Sequence, residues 1–445
     1  MSIPIVNRLD EQIVSDPRFS QSFFDHFISA QRDLGLVFGD RPTCPFLRPH
    51  IVPRHRYDAI KKAAELIANA VETIVENALT HPLLMKILGP TADEEMLARV
   101  DPGYKRLCVT SRLDSYLTAT HCKFLEYNAE TPAGVGDQMQ LEKLLFELPN
   151  LKEFLAANEH WSPQPHKKLL ESLLSTYDDW GGKKECPQIA IVDWKGVSTA
   201  QEFRVLQEFF EKAGYQTRIV DPCELTYDGE SLRAGDFVID LLYKRVVIHE
   251  FLERYGLNHA LVHAYRDKRV CMVNSFRTKL AHKKASLAVL SDPNYRALFS
   301  YDESEMIGRH IPWTRVVAPG RTTYGADEYD LLSLIMNERE HFVLKPNDDY
   351  GGHGVFLGWE TDASDWARSV EVALQRPYVV QERVAAEKVV MPTFANKVVL
   401  EEMFVDFNPF LFQNEVEGAL VRLSTSSIIN VTAGGGQSAL LVLEE

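Results

Sequence analysis

The apolar positions of this chain change period along its length. Between Asp58 and Leu79, Ile60, Ala64, Ile67, Val71, Ile74 and Ala78 recur three or four residues apart, the spacing of a packed helix face. Residues 1–104 read as helical and irregular around it. From 105 the texture shifts: Leu107 to Leu117 and Cys122 to Asn128 predict two strands, Thr131 to Gly136 a loop, and Gln138 to Phe146 a helix. A helix within Trp161 to Cys186 gives way to Asp178, Asp179, Gly181, Gly182 and Pro187, a turn-rich stretch that predicts a boundary near 185. Strands and helices then alternate. Ile189 to Val192, Thr217 to Val220, Phe237 to Leu242 and Val270 to Asn274 predict strands, with a helix over Ala200 to Ala213 stopped by Gly214. Such alternation implies a small sheet with a strong parallel component. From 279 to 445, strands are expected at Phe342 to Lys345, Val355 to Trp359, Tyr378 to Gln381, Val398 to Phe404 and Ala419 to Leu423. The whole reads as an α/β (α+β) chain divided at 1–104, 105–185, 186–278 and 279–445, without internal repeats.

Composition narrows the function classes. With 445 residues, 45% hydrophobic and 25% charged, the chain is that of a folded protein with room for two or three domains. Lys plus Arg total 48 against 63 for Asp plus Glu, a formal net charge of -15. That balance argues against a nucleic-acid partner and requires any anionic ligand to find a local basic pocket. No stretch approaches the roughly 20 apolar residues of a membrane span, and Met1 to Asp10 lacks an apolar signal core, so a cytoplasmic protein without a membrane partner is expected. The six cysteines are scattered and suggest reduced core residues. No Gly-x-Ser-x-Gly elbow, His-Glu-x-x-His or zinc-type spacing is present. Oligomeric state is not legible.

The first constellation with chemical content is Arg112-Leu113-Asp114 with Glu126-Tyr127-Asn128. Residues two apart on a strand share a face. A hairpin closed by a three-residue loop, Ala119–His121, would set Asp114 opposite Glu126 and Arg112 opposite Asn128, about 5 Å apart at Cβ. Two carboxylates and an amide oxygen on one patch suit Mg²⁺, which takes oxygen ligands and keeps positions open for phosphates. A guanidinium beside them can offset charge developing on an acyl or phosphoryl oxygen. A solvated sheet face with Arg112 paired to Asp114 fits the same pattern. A loop of two or four residues would throw the pairs onto opposite faces.

The second is Lys345-Pro346 followed by Asn347-Asp348-Asp349-Tyr350-Gly351-Gly352-His353-Gly354, between two strands. Glycines let backbone amides approach phosphate oxygens, and the lysine adds a point charge. An ordinary long hairpin turn is the alternative, and the run is neither a Walker A loop nor a dinucleotide fingerprint. Third, the strand at Tyr378 ends in Gln381-Glu382-Arg383-Val384, whose backbone could meet an adenine edge. Arg422, on a strand-like run, reads either as a carboxylate clamp or as a surface charge. Lys283 and Lys284 open an apolar helix, where a lysine works against the helix dipole and hints at an anion nearby.

Taken together, Arg112-x-Asp114 and, twelve residues after Asp114, Glu126-Tyr127-Asn128-Ala129-Glu130-Thr131-Pro132 resemble the metal-binding segment of circularly permuted ATP-grasp proteins, the group that includes glutathionylspermidine synthase. In that family these elements precede the nucleotide-binding lysines, as they do here. The resemblance covers roughly residues 105–445. It implies a circularly permuted ATP-grasp fold with a small pre-ATP-grasp α/β domain at 186–278 and a helical N-terminal region. It implies Asp114, Glu126 and Asn128 as Mg²⁺ ligands and Arg112 as the catalytic residue steadying the transferred oxyanion. ATP would meet Lys284, Lys345, Gly351, Gly352 and Gly354, with Gln381, Glu382 and Val384 as the adenine hinge. The Ala-Ser-Leu-Ala run after Lys284 favours it over Lys283. The family's Arg-Glu-Gly type loop is replaced by Asp348-Asp349-Tyr350-Gly351, which leaves open whether Asp349 joins the metal, and no amidase domain is visible. The implied activity is an ATP- and Mg²⁺-dependent carboxylate-amine ligase working through an acyl phosphate on small amino-acid- or peptide-like substrates, with Arg422 as a candidate substrate clamp. A non-catalytic nucleotide-binding module and a Mg²⁺-dependent small-molecule kinase are the alternatives.

Overall fold

The computed structural model describes residues 4–117, 122–349, 351–394, 396–426, 429 and 434–444. Two antiparallel sheets carry most of the candidate residues, and one parallel sheet packs with the larger of them. The largest, the core sheet, runs in the order Gly436–Ser438, Glu415–Ser424, Val398–Phe412, Thr110–Leu117, Cys122–Asn128, all antiparallel. Its last two strands are the hairpin of Arg112 and Glu126. On one hairpin face Leu113 and Tyr127 pair and are buried, which leaves Arg112, Asp114, Glu126 and Asn128 to share the other.

The expected strand Val398 to Phe404 is less than half of the observed one. Its first part pairs with Lys388–Phe394, and it then continues to Phe412, where it joins the hairpin. Asp406, Asn408 and Pro409 interrupt the apolar pattern in the second part, so the pattern alone stops short. Inside the sheet the two polar side chains bond each other, Asn408 Nδ2 donating to Asp406 Oδ1 at 2.9 Å.

Residues 189–273 supply a parallel sheet in the order Cys271–Val273, Leu241–Lys244, Ile189–Val192, Thr217–Val220. The expected strand Phe237 to Leu242 is divided: Phe237–Val238 belongs to a small antiparallel sheet, and only Leu241–Lys244 is parallel. Asp240 marks the change, its Oδ2 accepting from the Gln188 amide at 2.9 Å and from Lys184 Nζ. Asn274, fully buried, ties this unit to the hairpin. Its Oδ1 accepts from the Val109 and Thr110 amides, and its Nδ2 donates to the Thr110 and Ala129 carbonyls, replacing a strand partner on both sides.

The third sheet is a lid of strands Thr314–Val316, Tyr378–Glu382, Phe342–Pro346 and Phe356–Leu357, antiparallel throughout. Helices Leu331–Asn337 and Ala363–Gln375 cover it around buried Trp366. The expected strand Val355 to Trp359 shrinks to two residues, because from Gly358 the chain is drawn against Arg339, whose Nη1 donates to the Gly358 carbonyl at 2.6 Å.

The N-terminal helices pack into one hydrophobic cluster with the core sheet, reaching from Val6 to Leu443. Strand Leu440–Leu443 lies between His50–Pro53, parallel to it, and His160–Trp161, antiparallel. Among the described residues no helix is long and apolar enough to cross a membrane.

Candidate functional site

The hairpin pairs Asp114 with Glu126 and Arg112 with Asn128. It does so by a different route from the one expected. The proposed loop Ala119–His121 lies outside the described residues, but the last pair before it is Leu117 with Cys122, which leaves four residues between the strands. A register shift beside Asp114 leaves Leu125 unpaired and restores the facing of the polar residues.

Asp114 is the hub of this face. Its Oδ1 accepts from Arg112 Nε at 2.7 Å and Asn128 Nδ2 at 2.9 Å, and its Oδ2 from Arg112 Nη2 at 3.0 Å and Arg422 Nη2 at 2.9 Å. Burial alone would raise the Asp114 carboxyl; Arg112 and Arg422 reverse the sign and hold it at about 2. Arg422 also grips Asp406, Nε to Oδ2 at 2.8 Å. Arg112 Nη1 donates to the Ala133 carbonyl at 2.8 Å, which fastens the Thr131–Gly136 loop to the same cluster.

Helix Ala285–Ser291 and the lid bring two lysines to this face. Lys284 Nζ lies 3.6 Å from Glu126 Oε2 and donates to the Asp349 carbonyl at 2.6 Å. Lys345 Nζ donates to Gln381 Oε1 at 2.7 Å and to the Leu125 carbonyl at 3.3 Å, so the lid strand ends against the hairpin. Burial, with Lys284 close by, brings the Lys345 ammonium down to about 8 although Glu126 and Asp114 favour its charge. Lys283 turns elsewhere, to Glu94 and Asp348.

Gly351, Gly352 and Gly354 form an exposed turn with φ of +69°, +83° and +67°. At Gly354 a Cβ would lie 2.8 Å from Pro346 Cγ and 2.9 Å from Tyr378 Oη, so only glycine fits there. Gln381 is buried, its Nε2 donating to Thr314 Oγ1 at 3.1 Å. Glu382 accepts from Tyr324 Oη at 3.2 Å, and its amide donates to the Trp313 carbonyl. Val384 lies in the strand-free connection at 383–387 between lid and core sheet. The structure therefore groups Arg112, Asp114, Glu126, Asn128, Lys284, Lys345, Gln381 and Arg422. Glu382 and Val384 follow Gln381 along the chain, and the glycine turn lies apart from these contacts, against Pro346 and Tyr378.

A donor set of Asp114, Glu126 and Asn128 suits Mg²⁺ in being all oxygen. The three do not offer themselves equally. Both Asp114 oxygens are engaged by nitrogen donors, and Asn128, with Nδ2 on Asp114, has Oδ1 to offer a cation. Glu126 has the more open carboxylate, 23% exposed.

Sequence reasoning missed a second cluster next to the first. Lys279, whose side chain is fully buried, has Nζ 2.8 Å from Glu130 and 2.6 Å from Asp348. Lys283 Nζ lies 2.8 Å from Glu94 and 2.6 Å from Asp348. Among the described residues, Glu130, His282 and Asp348 bring possible ligand atoms within 4.8 Å of one another, but the Lys279 ammonium already supplies the positive charge for both carboxylates. The available signal was the spacing of Lys279 and Lys283, four residues apart at the short helix Thr278–His282, the second just past its end.

No protein-family model and no curated protein matches the sequence. Among solved structures, the chain is similar to a glutathione synthetase-like effector from Globodera pallida in apo form, with TM-score 0.61 and 14% identity over 96% of this chain and 98% of that one. It is more distantly similar to a putative gamma-glutamylcysteine synthetase from Methylobacillus flagellatus, with TM-score 0.42 and 9% identity over 85% of each chain. The fold is ATP-grasp-like. At such identity the likeness concerns the fold alone.

Proposed function

We propose that this chain is an ATP- and Mg²⁺-dependent carboxylate-amine ligase with its ATP-grasp elements in circularly permuted order. The supporting observation is the meeting of lid and hairpin: Lys284 faces Glu126, and Lys345 reaches the Leu125 carbonyl, beside a carboxylate hub flanked by two arginines. In the sequence the hairpin precedes both lysines and the rest of the core sheet follows them, as the permuted order requires.

In this reading the lid glycines and Lys284 and Lys345 hold the ATP phosphates, and the connection from Gln381 to Val384 borders the adenine. Glu126 and Asn128, with Asp114 orienting the latter, would hold Mg²⁺. Once bound, the ion neutralises charge on the phosphate oxygens. Arg112 and Arg422 face the acid, Arg422 as its carboxylate clamp. A carboxylate oxygen attacks the γ-phosphorus, the bond to the β–γ bridging oxygen breaks, and ADP departs. The amine then attacks the acyl carbon, phosphate leaves, and the amine proton passes to solvent. The protein's contribution is positioning and preorganised charge.

The test is ADP and amide formation on mixing ATP, Mg²⁺ and a panel of amino acids, small peptides and polyamines. Amide product supports the proposal. Thermal stabilisation by ATP without turnover would identify a binding module instead, and a stable phosphorylated product would identify a kinase.

A further inference from the structure

The Lys279 cluster sits where five parts of the chain meet, and only one of its carboxylates belongs to the lid. That residue is Asp348, three positions after Lys345 and three before Gly351. Its two oxygens are divided between Lys279 and Lys283, each at 2.6 Å, and His249 Nδ1 lies 3.6 Å from Oδ1. Burial opposes this carboxylate, and His249, Lys279 and Lys283 overcome it, so its carboxyl lies well below the usual range.

The two lysines are held from the other side by fixed groups. Glu94 closes the capping box of helix Ala92–Ala98 with Thr91. Glu130 follows the hairpin, and its Oε2 accepts from the Ile248 amide at 2.7 Å. Side chains of Glu94, Glu130, Lys279 and Lys283 are 0–4% exposed, against 15% for Asp348. Among the described residues the network reaches solvent at Asp348, its lid end, and at His249, whose side chain is 24% exposed.

The backbone beside Asp348 is fastened in the same place. The Lys284 amide donates to the Asn347 carbonyl at 2.9 Å, the Ala285 amide to Asn347 Oδ1 at 2.8 Å, and Asn347 Nδ2 to the Leu88 carbonyl at 2.8 Å. Shortly beyond it the chain enters the positive-φ glycines, which are exposed. A fixed segment therefore abuts a turn rich in glycine.

We propose that Asp348 is a positioning residue: clamped between Lys279 and Lys283, it sets the height of the lid over the hairpin and so places Lys345 and Lys284 for a polyphosphate. It acts through those lysines and contacts no reacting atom. The proposal rests on the nucleotide-binding reading of the site, and its test separates the two.

Full-length Asp348→Asn, Asp348→Glu and, as a control on the same lysines, Glu94→Gln are compared in two measurements. In nucleotide-free protein, hydrogen exchange of the amides at 342–349 and 284–285 should accelerate about tenfold in Asp348→Asn, much less in Asp348→Glu, and not in Glu94→Gln beyond helix Ala92–Ala98. Calorimetry with Mg²⁺ and a non-hydrolysable ATP analogue should show affinity reduced about tenfold or more in Asp348→Asn and largely recovered in Asp348→Glu. Under turnover the loss should fall on KM for ATP, with kcat nearly unchanged. Faster exchange spread over the whole chain, or equal effects of Asp348→Asn and Glu94→Gln, would make Asp348 a general stabilising residue and overturn the proposal. If the wild-type chain binds no nucleotide, the functional reading fails, while the exchange pattern still decides whether Asp348 anchors the lid.

Discussion

The two charge clusters of this protein stand side by side and are built from opposite materials. Around Asp114, two planar guanidiniums and an amide converge on one carboxylate, and both Asp114 and Glu126 keep about a fifth of their side-chain surface exposed. Around Lys279, flexible ammonium groups are enclosed with Glu94 and Glu130 away from water, which reaches the cluster only at Asp348 and His249 among the described residues. The first arrangement leaves room for a charged ligand to exchange partners with the protein. The second has no such room, and its charges join elements of the fold. Burial rather than residue type separates a site from a joint here, since Asp, Glu and cationic partners occur in both.

The largest effect that would break this contrast concerns Lys279. Lys279→Met leaves Glu130, Glu94 and Asp348 with too little positive charge in a dry site and should cost about 3–5 kcal/mol, read as a fall in the denaturant midpoint. Burial raises the Glu130 carboxyl, but Lys279, His282 and Lys244 bring it down to about 2 from an ordinary 4.5. A depressed carboxyl contributes stability that is present above its unfolded value and lost as pH falls through its folded one. The wild type should therefore lose this contribution between about pH 4.5 and 2, and Lys279→Met should lack that step. A mild effect of the substitution would place the joint elsewhere.

Next in size are changes on the open side. Glu126→Gln or Lys345→Met should reduce amide formation about 10²- to 10³-fold, roughly 3–4 kcal/mol in the barrier, while circular dichroism and melting temperature stay near wild type. Loss of folding in either variant would erase the distinction between the clusters.

A smaller effect follows from the Lys345 ammonium, brought down to about 8 mainly by burial. A bound polyphosphate favours the charged form, so nucleotide binding at pH 8 should take up about half a proton, visible as buffer-dependent binding heats. Affinity should weaken as pH rises beyond that value. The smallest expected change is Thr91→Ala, which removes one partner of the Glu94 capping box and leaves the ion pairs intact; it should cost about 1 kcal/mol in thermal or denaturant unfolding. A larger cost would mean that the cap, and not the charges, holds Glu94 in place.

How far the sequence reveals these features depends on how local their causes are. The pairing of Asp114 with Glu126 follows from strand alternation within one hairpin, and even there two departures cancel, a longer connection and an unpaired Leu125. The parallel unit is largely legible because Ile189–Val192 and Cys271–Val273 are short apolar runs beside turn residues, while Phe237 to Leu242 runs two strands together. Asp406 is not, since a carboxylate within Phe404-Val405-Asp406-Phe407 looks like the end of a strand until Arg422 is found opposite it. The Lys279 cluster is the least legible part. Glu94, Glu130, Lys279 and Asp348 are spread over more than half the chain, and each reads singly as a solvated charge.

The strand Leu440–Leu443 carries a consequence for the order of assembly. It is the central member of a three-stranded sheet whose other strands, His50–Pro53 and His160–Trp161, are synthesised hundreds of residues earlier. On the ribosome those two segments must wait, with their apolar neighbours uncovered, until the strand Leu440–Leu443 has been made. Such distant pairing makes folding slow and places the period of greatest aggregation risk before that strand emerges.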